Sequence, residues 1–238
     1  MIAKEGYTIV AIAVVLALVL VFIGVKVPSV GRVLAFSGAA LVLGFTLFFF
    51  RDPQRTPPAE AGSLLLAPAD GKVVVMEEVE EPLYLKGPAW QISIFLSPLD
   101  VHVNRIPADG VIEFDQYVSG DYLVAWHPKA SQKNERSQLG LRHPNGLKVL
   151  FKQIAGLAAR RVVYHVSVGD TVKAGQRFGI LKFGSRMDVL VPRTVTVEVE
   201  VGDRVRAGET ILGRLPTEAP SEVPSEAPSE AISQDLSS

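Results

Sequence analysis

The sequence predicts a mostly β domain behind an N-terminal transmembrane helical hairpin. Three features carry this reading: two uncharged apolar runs at the start, short β-branched runs broken by Gly, Pro and Asp through the middle, and a small internal repeat. A chain of 238 residues can bury a core without a staple. The absence of cysteine excludes a disulfide framework, a thiolate nucleophile and a Cys-ligated metal site. Charge is nearly balanced, with 24 basic and 25 acidic residues. Glu218, Glu222, Glu226, Glu230 and Asp235 all lie beyond Pro216 with no base among them, so the rest is mildly basic. That suits an anionic membrane surface. It is too weak for nucleic acid, and no Lys/Arg run or nucleic-acid motif occurs.

Tyr7–Val25 contains 19 residues and Val33–Phe50 contains 18, all uncharged. At about 1.5 Å per residue each just spans a hydrocarbon core of roughly 30 Å. Lys26, Pro28, Gly31 and Arg32 form the polar turn between them. A secretory signal is disfavoured, because no small-residue cleavage site follows and a second span comes at once. Residues 1–50 are therefore expected to form a membrane hairpin, with both its ends in one compartment. Lys4, Arg51 and Arg55 flank one face and Lys26 and Arg32 the other, which leans towards a cytoplasmic main domain. The tail 216–238 repeats Pro-Ser-Glu three times and is expected to be disordered, since it has few large apolar residues to offset its ordering entropy.

Residues 51–215 form the β domain, with strand-like runs at Lys72–Val75, Gln91–Leu96, Val149–Ile154, Val162–Val166 and Val195–Val201. Val168-Gly169-Asp170-x-Val172-x-Ala174-Gly175 recurs 33 residues later as Val201-Gly202-Asp203-x-Val205-x-Ala207-Gly208. Gly supplies the positive φ of such turns and Asp bonds its own backbone. The repeat resembles the half-motif of biotinyl/lipoyl-type barrel-sandwich hybrid folds. Lys182 lies in the linking segment without the Met-Lys-Met or Asp-Lys-Ala context of those carriers, so carrier function is disfavoured.

Nucleophile candidates are Ser, Thr, Lys, Tyr and carboxylates, with His102, His127, His143 and His165 as possible bases. No H-E-x-x-H, P-loop or G-x-S-x-G occurs, and no metal-ligand spacing is present. Three segments are polar where a β core would be apolar. Ala67-Pro68-Ala69-Asp70-Gly71 places an acid in a tight turn. Ser97–Arg105 puts Asp100, His102 and Asn104 on one face of an extended chain. Phe183-Gly184-Ser185-Arg186-Met187-Asp188 is the third, and taken singly each reads as a turn or a structural polar group.

Taken in order, these segments and their neighbours resemble the phosphatidylserine decarboxylase family in its short bacterial and archaeal form. The match runs through Phe49-Phe50-Arg51-Asp52-Pro53-x-Arg55, Ala67–Val73, Ser97–Pro107, Asn134-Glu135-Arg136, Gln153–Val163 and Gly179–Pro192. The resemblance implies a proenzyme that cuts itself between Gly184 and Ser185, leaving a β subunit of residues 1–184 and an α subunit of residues 185–238. Ser185 becomes a covalent pyruvoyl cofactor, which forms a Schiff base with the substrate amine. The resemblance also assigns Asp70 and His102 to activate Ser185, and His102 to protonate the product. Asp100 would orient His102. Longer relatives carry a second His where this chain has Arg105. Arg105, Arg136 and Arg186 are candidate ligands for the substrate phosphate, and no metal is implied.

The expected activity is decarboxylation of phosphatidylserine, a membrane phospholipid, to phosphatidylethanolamine and CO2. Archaetidylserine, with the same headgroup, is an alternative substrate. A non-enzymatic, membrane-anchored lipoyl-like adaptor is the alternative from another class, and it has no need for Asp70, His102 or Ser185.

Overall fold

The computed structural model describes residues 1–121, 133–156, 162–181 and 185–217. Lys182, Phe183, Gly184 and nearly all of the expected tail lie outside them.

Helices α1 (Tyr7–Lys26) and α2 (Ser29–Phe49) pack against each other as an antiparallel hairpin. Ala13, Ala17, Gly24 and Ala39 are buried, while Ile12, Leu18, Phe22, Leu34 and Leu41 point outward. Small residues at the contact let the helices approach, and a Cβ on Gly24 would strike the Phe36 ring. α2 begins four residues before the expected 33. Pro28, at φ −65°, is already set for a helix start, so Ser29–Arg32 wind into the first turn instead of forming a loop.

The rest is β. Eight antiparallel strands form one sheet in the order β13 (Arg204–Val205), β2 (Gly71–Glu81), β3 (Gly87–Leu96), β11 (Ser185–Pro192), β7 (Lys148–Ile154), β6 (Arg136–Arg142), β5 (Gly110–Val118) and β9 (Thr171–Val172). Two three-stranded sheets complete the domain. One joins β4 (Val103–Arg105), β10 (Arg177–Leu181) and β8 (Val162–Tyr164); the other joins β1 (Leu64–Leu66), β14 (Ile211–Arg214) and β12 (Thr196–Val197). Alternation on β11 divides its faces. Met187, Val189 and Val191 enter the main core with Ile92, Ile94, Leu139 and Phe151, whereas Leu190 packs on the opposite face with Tyr84 and Leu150. The run Val195–Val201 yields only the two-residue β12, because the Glu198 N–H turns to the Leu212 carbonyl and the chain bends again at Glu200–Asp203.

The repeat has a structural meaning that its spacing alone did not reveal. Its first copy pairs with Ile106-Pro107-Ala108-Asp109-Gly110, and its second with Ala67-Pro68-Ala69-Asp70-Gly71. Most of the hydrogen bonds between these segments correspond. The Ala174 N–H donates to Asp109 as the Ala207 N–H donates to Asp70, each at 2.8 Å. The Gly175 N–H reaches the Ile106 carbonyl as that of Gly208 reaches Ala67, and the Leu66 and Arg105 N–H groups donate across to Pro107 and Pro68. A local pseudo-twofold therefore relates the two halves. It runs beside Gly175 and Gly208, at φ +79° and +73°, where a Cβ on Gly208 would lie 3.2 Å from the Gly175 Cα.

Candidate active site

Register brings the site together. Lys72 and Arg186 both pair with Phe95, from opposite sides of β3, and Ser185 pairs with Leu96. The Asp70 turn and Ser185 thus stand at the same end of the sheet, two strands apart, or about 10 Å at ordinary strand spacing. β3 ends at Leu96, and the chain rounds Ser97–Val101 to reach His102. The His102 carbonyl accepts the Leu181 N–H at 3.1 Å, so His102 lies against the strand that leads towards Ser185.

Polar side chains are buried elsewhere in the domain too, but those near this end are the ones left unpaired. Among the described residues, the buried side-chain atoms without a hydrogen-bond partner are both ring nitrogens of His102, Nδ2 of Asn104 and Oγ of Ser185. All three residues are 0% exposed. Leaving such a group unpaired costs about 1–3 kcal/mol, so a cluster of them marks a place shaped for something other than stability. Burial drives the His102 pKa down to about 4. The Asp100 carbonyl and carboxylate oppose part of that shift, and the Arg51 charge adds to it. The ring of Phe49 lies 4.2 Å from the imidazole, tilted by 32°. Asn104 Oδ1 accepts from Gln153 Nε2, and Gln153 Oε1 accepts from Ser137, so a polar chain crosses β4, β7 and β6. Gly179 leaves room for it, since a Cβ there would meet Gln153 Nε2 at 3.0 Å.

The chain matches known proteins along most of its length. The family model described as phosphatidylserine decarboxylase covers residues 42–213. A phosphatidylserine decarboxylase proenzyme of Salinibacter ruber is 62% identical over 176 residues, covering 74% of this chain and 78% of that one. Another, from Symbiobacterium thermophilum, is 46% identical over 90% of this chain and 96% of its own. A third, from Chlorobium luteolum, is 42% identical over 80% and 89%. The chain belongs to the phosphatidylserine decarboxylase family.

Within that family frame, the expected residues fall into three groups. Ser185 and His102 are both fully buried, with polar side-chain atoms unpaired among the described residues. Gly184 lies outside the described residues. Asp70 sits at the same sheet end, but no hydrogen bond to His102 or Ser185 is seen among the described residues. Its Oδ1 accepts from Ala207 and its Oδ2 pairs with Arg55 at 2.7 Å, while Arg55 also holds Glu209 at 2.9 Å. Burial raises the Asp70 pKa, with the Ala207 N–H and Arg55 pulling the other way. Asp100 turns its carboxylate to the Ser97 N–H at 2.8 Å, and so acts on His102 through its field and its carbonyl.

The arginines expected to hold phosphate have protein partners. Arg105 donates to the carbonyls of Gly175 and Pro53 and pairs with Asp52, fastening the Asp52-Pro53 segment to the β domain. Arg186 is 2% exposed, bonds Asp188 and Ser93, and faces away from Ser185. Arg136 donates to the Asn134 carbonyl and lines a separate cavity of about 550 Å³ with Lys152 and Arg186. Their charges were legible, but their partners were not. The sequence reading gave no separate role to Phe49, Arg51, Arg55 or Gln153. The signal available was their membership of the ordered segments.

Proposed function

We propose that this chain is a phosphatidylserine decarboxylase proenzyme which cuts itself between Gly184 and Ser185 and carries a pyruvoyl group derived from Ser185. The observation supporting it most directly is the buried Ser185 hydroxyl, without a partner among the described residues, at the sheet end that also holds the Asp70 turn. In self-cleavage the hydroxyl adds to the Gly184 carbonyl and the peptide nitrogen leaves, giving an ester. Loss of the Ser185 Cα proton expels the Gly184 carboxylate and leaves an enamine. Hydrolysis of that group releases ammonia and leaves a ketone. His102, neutral at physiological pH, is the proton acceptor assigned to this chemistry, and Asp70 supports it from the same sheet end.

The residues present fit such a group, because Ser185 is fully buried and its hydroxyl is committed to no hydrogen bond among the described residues. A pyruvoyl group supplies an electron-accepting carbonyl for loss of CO2 from a serine headgroup. His102 holds the proton delivered to the product carbon, and Phe49 and Val101 limit water around it. A cavity of about 800 Å³ at the foot of the hairpin, lined by Ile2, Lys4, Tyr7, Val103, Arg177 and Phe178, has the size and mixed polarity suited to a lipid headgroup.

Residues 1–50 act as the membrane anchor and hold the site at the bilayer surface, on the cytoplasmic side by the charge argument. Residues 51–215 form the catalytic domain, whose pseudo-twofold supports kinship with the biotinyl/lipoyl barrel-sandwich folds, and 216–238 form a tail. The mature enzyme is a β (1–184) and α (185–238) pair. Ser185→Ala is expected to run as one band on a denaturing gel and to release no CO2 from phosphatidylserine vesicles, while the unmodified chain gives two bands and releases it. Equal CO2 release by both would overturn the reading. Archaetidylserine vesicles in the same assay test the alternative lipid.

A further inference from the structure

The two ring nitrogens of His102 pose a question of orientation. A buried imidazole is ordinarily fixed by a hydrogen bond at one nitrogen, which sets its tautomer and tilt. Here neither nitrogen completes such a bond among the described residues, and the Asp100 carbonyl favours the protonated ring without fixing it, so packing takes a large share of the orienting. The contact that meets the ring's face comes from the last residue of the membrane hairpin. Resting on the assignment of His102 above, we propose that Phe49 is a positioning residue for His102: its ring seats the imidazole and shields it, so that docking of the membrane hairpin sets the state of the proton-transfer group.

Several observations distinguish this from ordinary core packing. Most of the end of α2 faces outward, with Phe45 46% and Phe48 43% exposed, yet Phe49 and Phe50 are each 1% exposed. Phe50 meets Phe49 edge-on at 5.0 Å and braces its ring. Ala3, Val101, Val103 and Ile180 close the same cluster. The foot of the hairpin is clamped to the loop that carries His102. Arg51 donates both to the Phe48 carbonyl at 2.8 Å and to the Leu99 carbonyl at 2.7 Å. The Ala3 N–H reaches the Phe50 carbonyl at 2.9 Å, and the Asp52 N–H reaches that of Met1 at 2.7 Å. The hairpin is thereby bonded to the segment three residues from the imidazole it covers.

The charged groups acting on His102 are Asp100 from its own loop and Arg51 from the hairpin foot, with opposite signs. Arg51 is held by carbonyls and Asp100 by the Ser97 N–H, so neither depends on the Phe49 ring. Removing the ring therefore changes water access and leaves the local charges in place.

The test uses the full chain in detergent micelles, with Ser185→Ala to keep it uncut and labelled histidines followed by NMR against pH. His102→Gln assigns the His102 signal. Phe49→Ala is expected to raise the His102 midpoint by about 1 unit or more towards the ordinary value of about 6.5. Phe49→Leu, which keeps an apolar cover, should recover at least half of that shift. Phe45→Ala, one turn back, removes a ring that lies 6.1 Å from Phe49 but does not itself meet His102, and should move the midpoint by less than half as much. In chains with Ser185 restored, the pH profile of self-cleavage should move with the midpoint. An unmoved midpoint in Phe49→Ala, or an equal move in Phe45→Ala, overturns the proposal. Should Phe49→Ala fail to fold, Phe49→Val carries the same comparison. If His102→Gln with Ser185 present still cuts and decarboxylates at the parent rate, the assignment of His102 fails, while the titration still reports on Phe49.

Discussion

His102 trades stability for readiness, and the sign of that trade can be worked out. Its folded pKa of about 4 lies below the ordinary value of about 6.5, so between those limits the unfolded chain binds a proton that the folded chain refuses. Stability from this residue is full above about pH 6.5 and falls as the pH drops towards 4, by about 3 kcal/mol in all. Asp70 acts with the opposite sign, since its raised pKa favours the folded state when protonated. The His102 part is therefore isolated by comparing variants rather than by reading one curve. Chemical denaturation of Ser185→Ala chains with and without His102→Gln should show the steeper acid loss only where the histidine is present. Identical slopes would mean that the imidazole protonates freely in the folded protein. The sequence marked His102 and Ser185 through motif order, but it could not show that both lie buried without partners, because that depends on strands distant in sequence. It marked Arg105 and Arg186 equally well. Those two differ only in having acceptors already in place, which is a property of the packed chain.

The two Pro-Ala-Asp-Gly turns provide an internal control at the level of elements. Asp70 and Asp109 accept the same Ala N–H bond in the same half-motif. They differ in their cationic partners, Arg55 for Asp70 and Lys173 for Asp109, and in the direction of their pKa shifts. The Asp109 pKa is lowered by its hydrogen bonds to Lys173 and Ala174, which outweigh a desolvation penalty, whereas the Asp70 pKa is raised by burial. Asp109→Asn should cost no more than about 1 kcal/mol in stability, since the amide oxygen still accepts the Ala N–H, and Asp70→Asn more, because it also gives up a largely buried ion pair with Arg55. Only Asp70→Asn should slow the appearance of the two fragments on a gel. Equal slowing by both would reduce Asp70 to a structural turn residue. The 33-residue repeat was legible because six of its eight positions are identical in both copies. Its partner turns share only four residues, with Lys72-Val73 following one and Val111-Ile112 the other, so the second half of the symmetry emerged from the hydrogen bonds.

The whole molecule is a β domain whose buried site touches the foot of an apolar hairpin. The hairpin was the most legible part of the chain, since composition over some 20 residues outweighs local detail. Its seating on His102 was not legible, because Phe49 reads as one more apolar residue at the end of a run. With anchoring by apolar area rather than by charge, the full chain should stay with vesicles on flotation even at roughly 1 M salt, where charge attraction is screened within about 3 Å. Release by salt would show a surface association instead. The central claim is that Ser185 becomes a carbonyl by cutting its own backbone, and intact-mass analysis of the purified protein tests it most directly. The account predicts two chains, one ending at Gly184 and the other beginning at position 185, the latter lighter than an unmodified serine start by the mass of one ammonia. A single uncut chain, or a second fragment that still carries an amino-terminal serine, would contradict it.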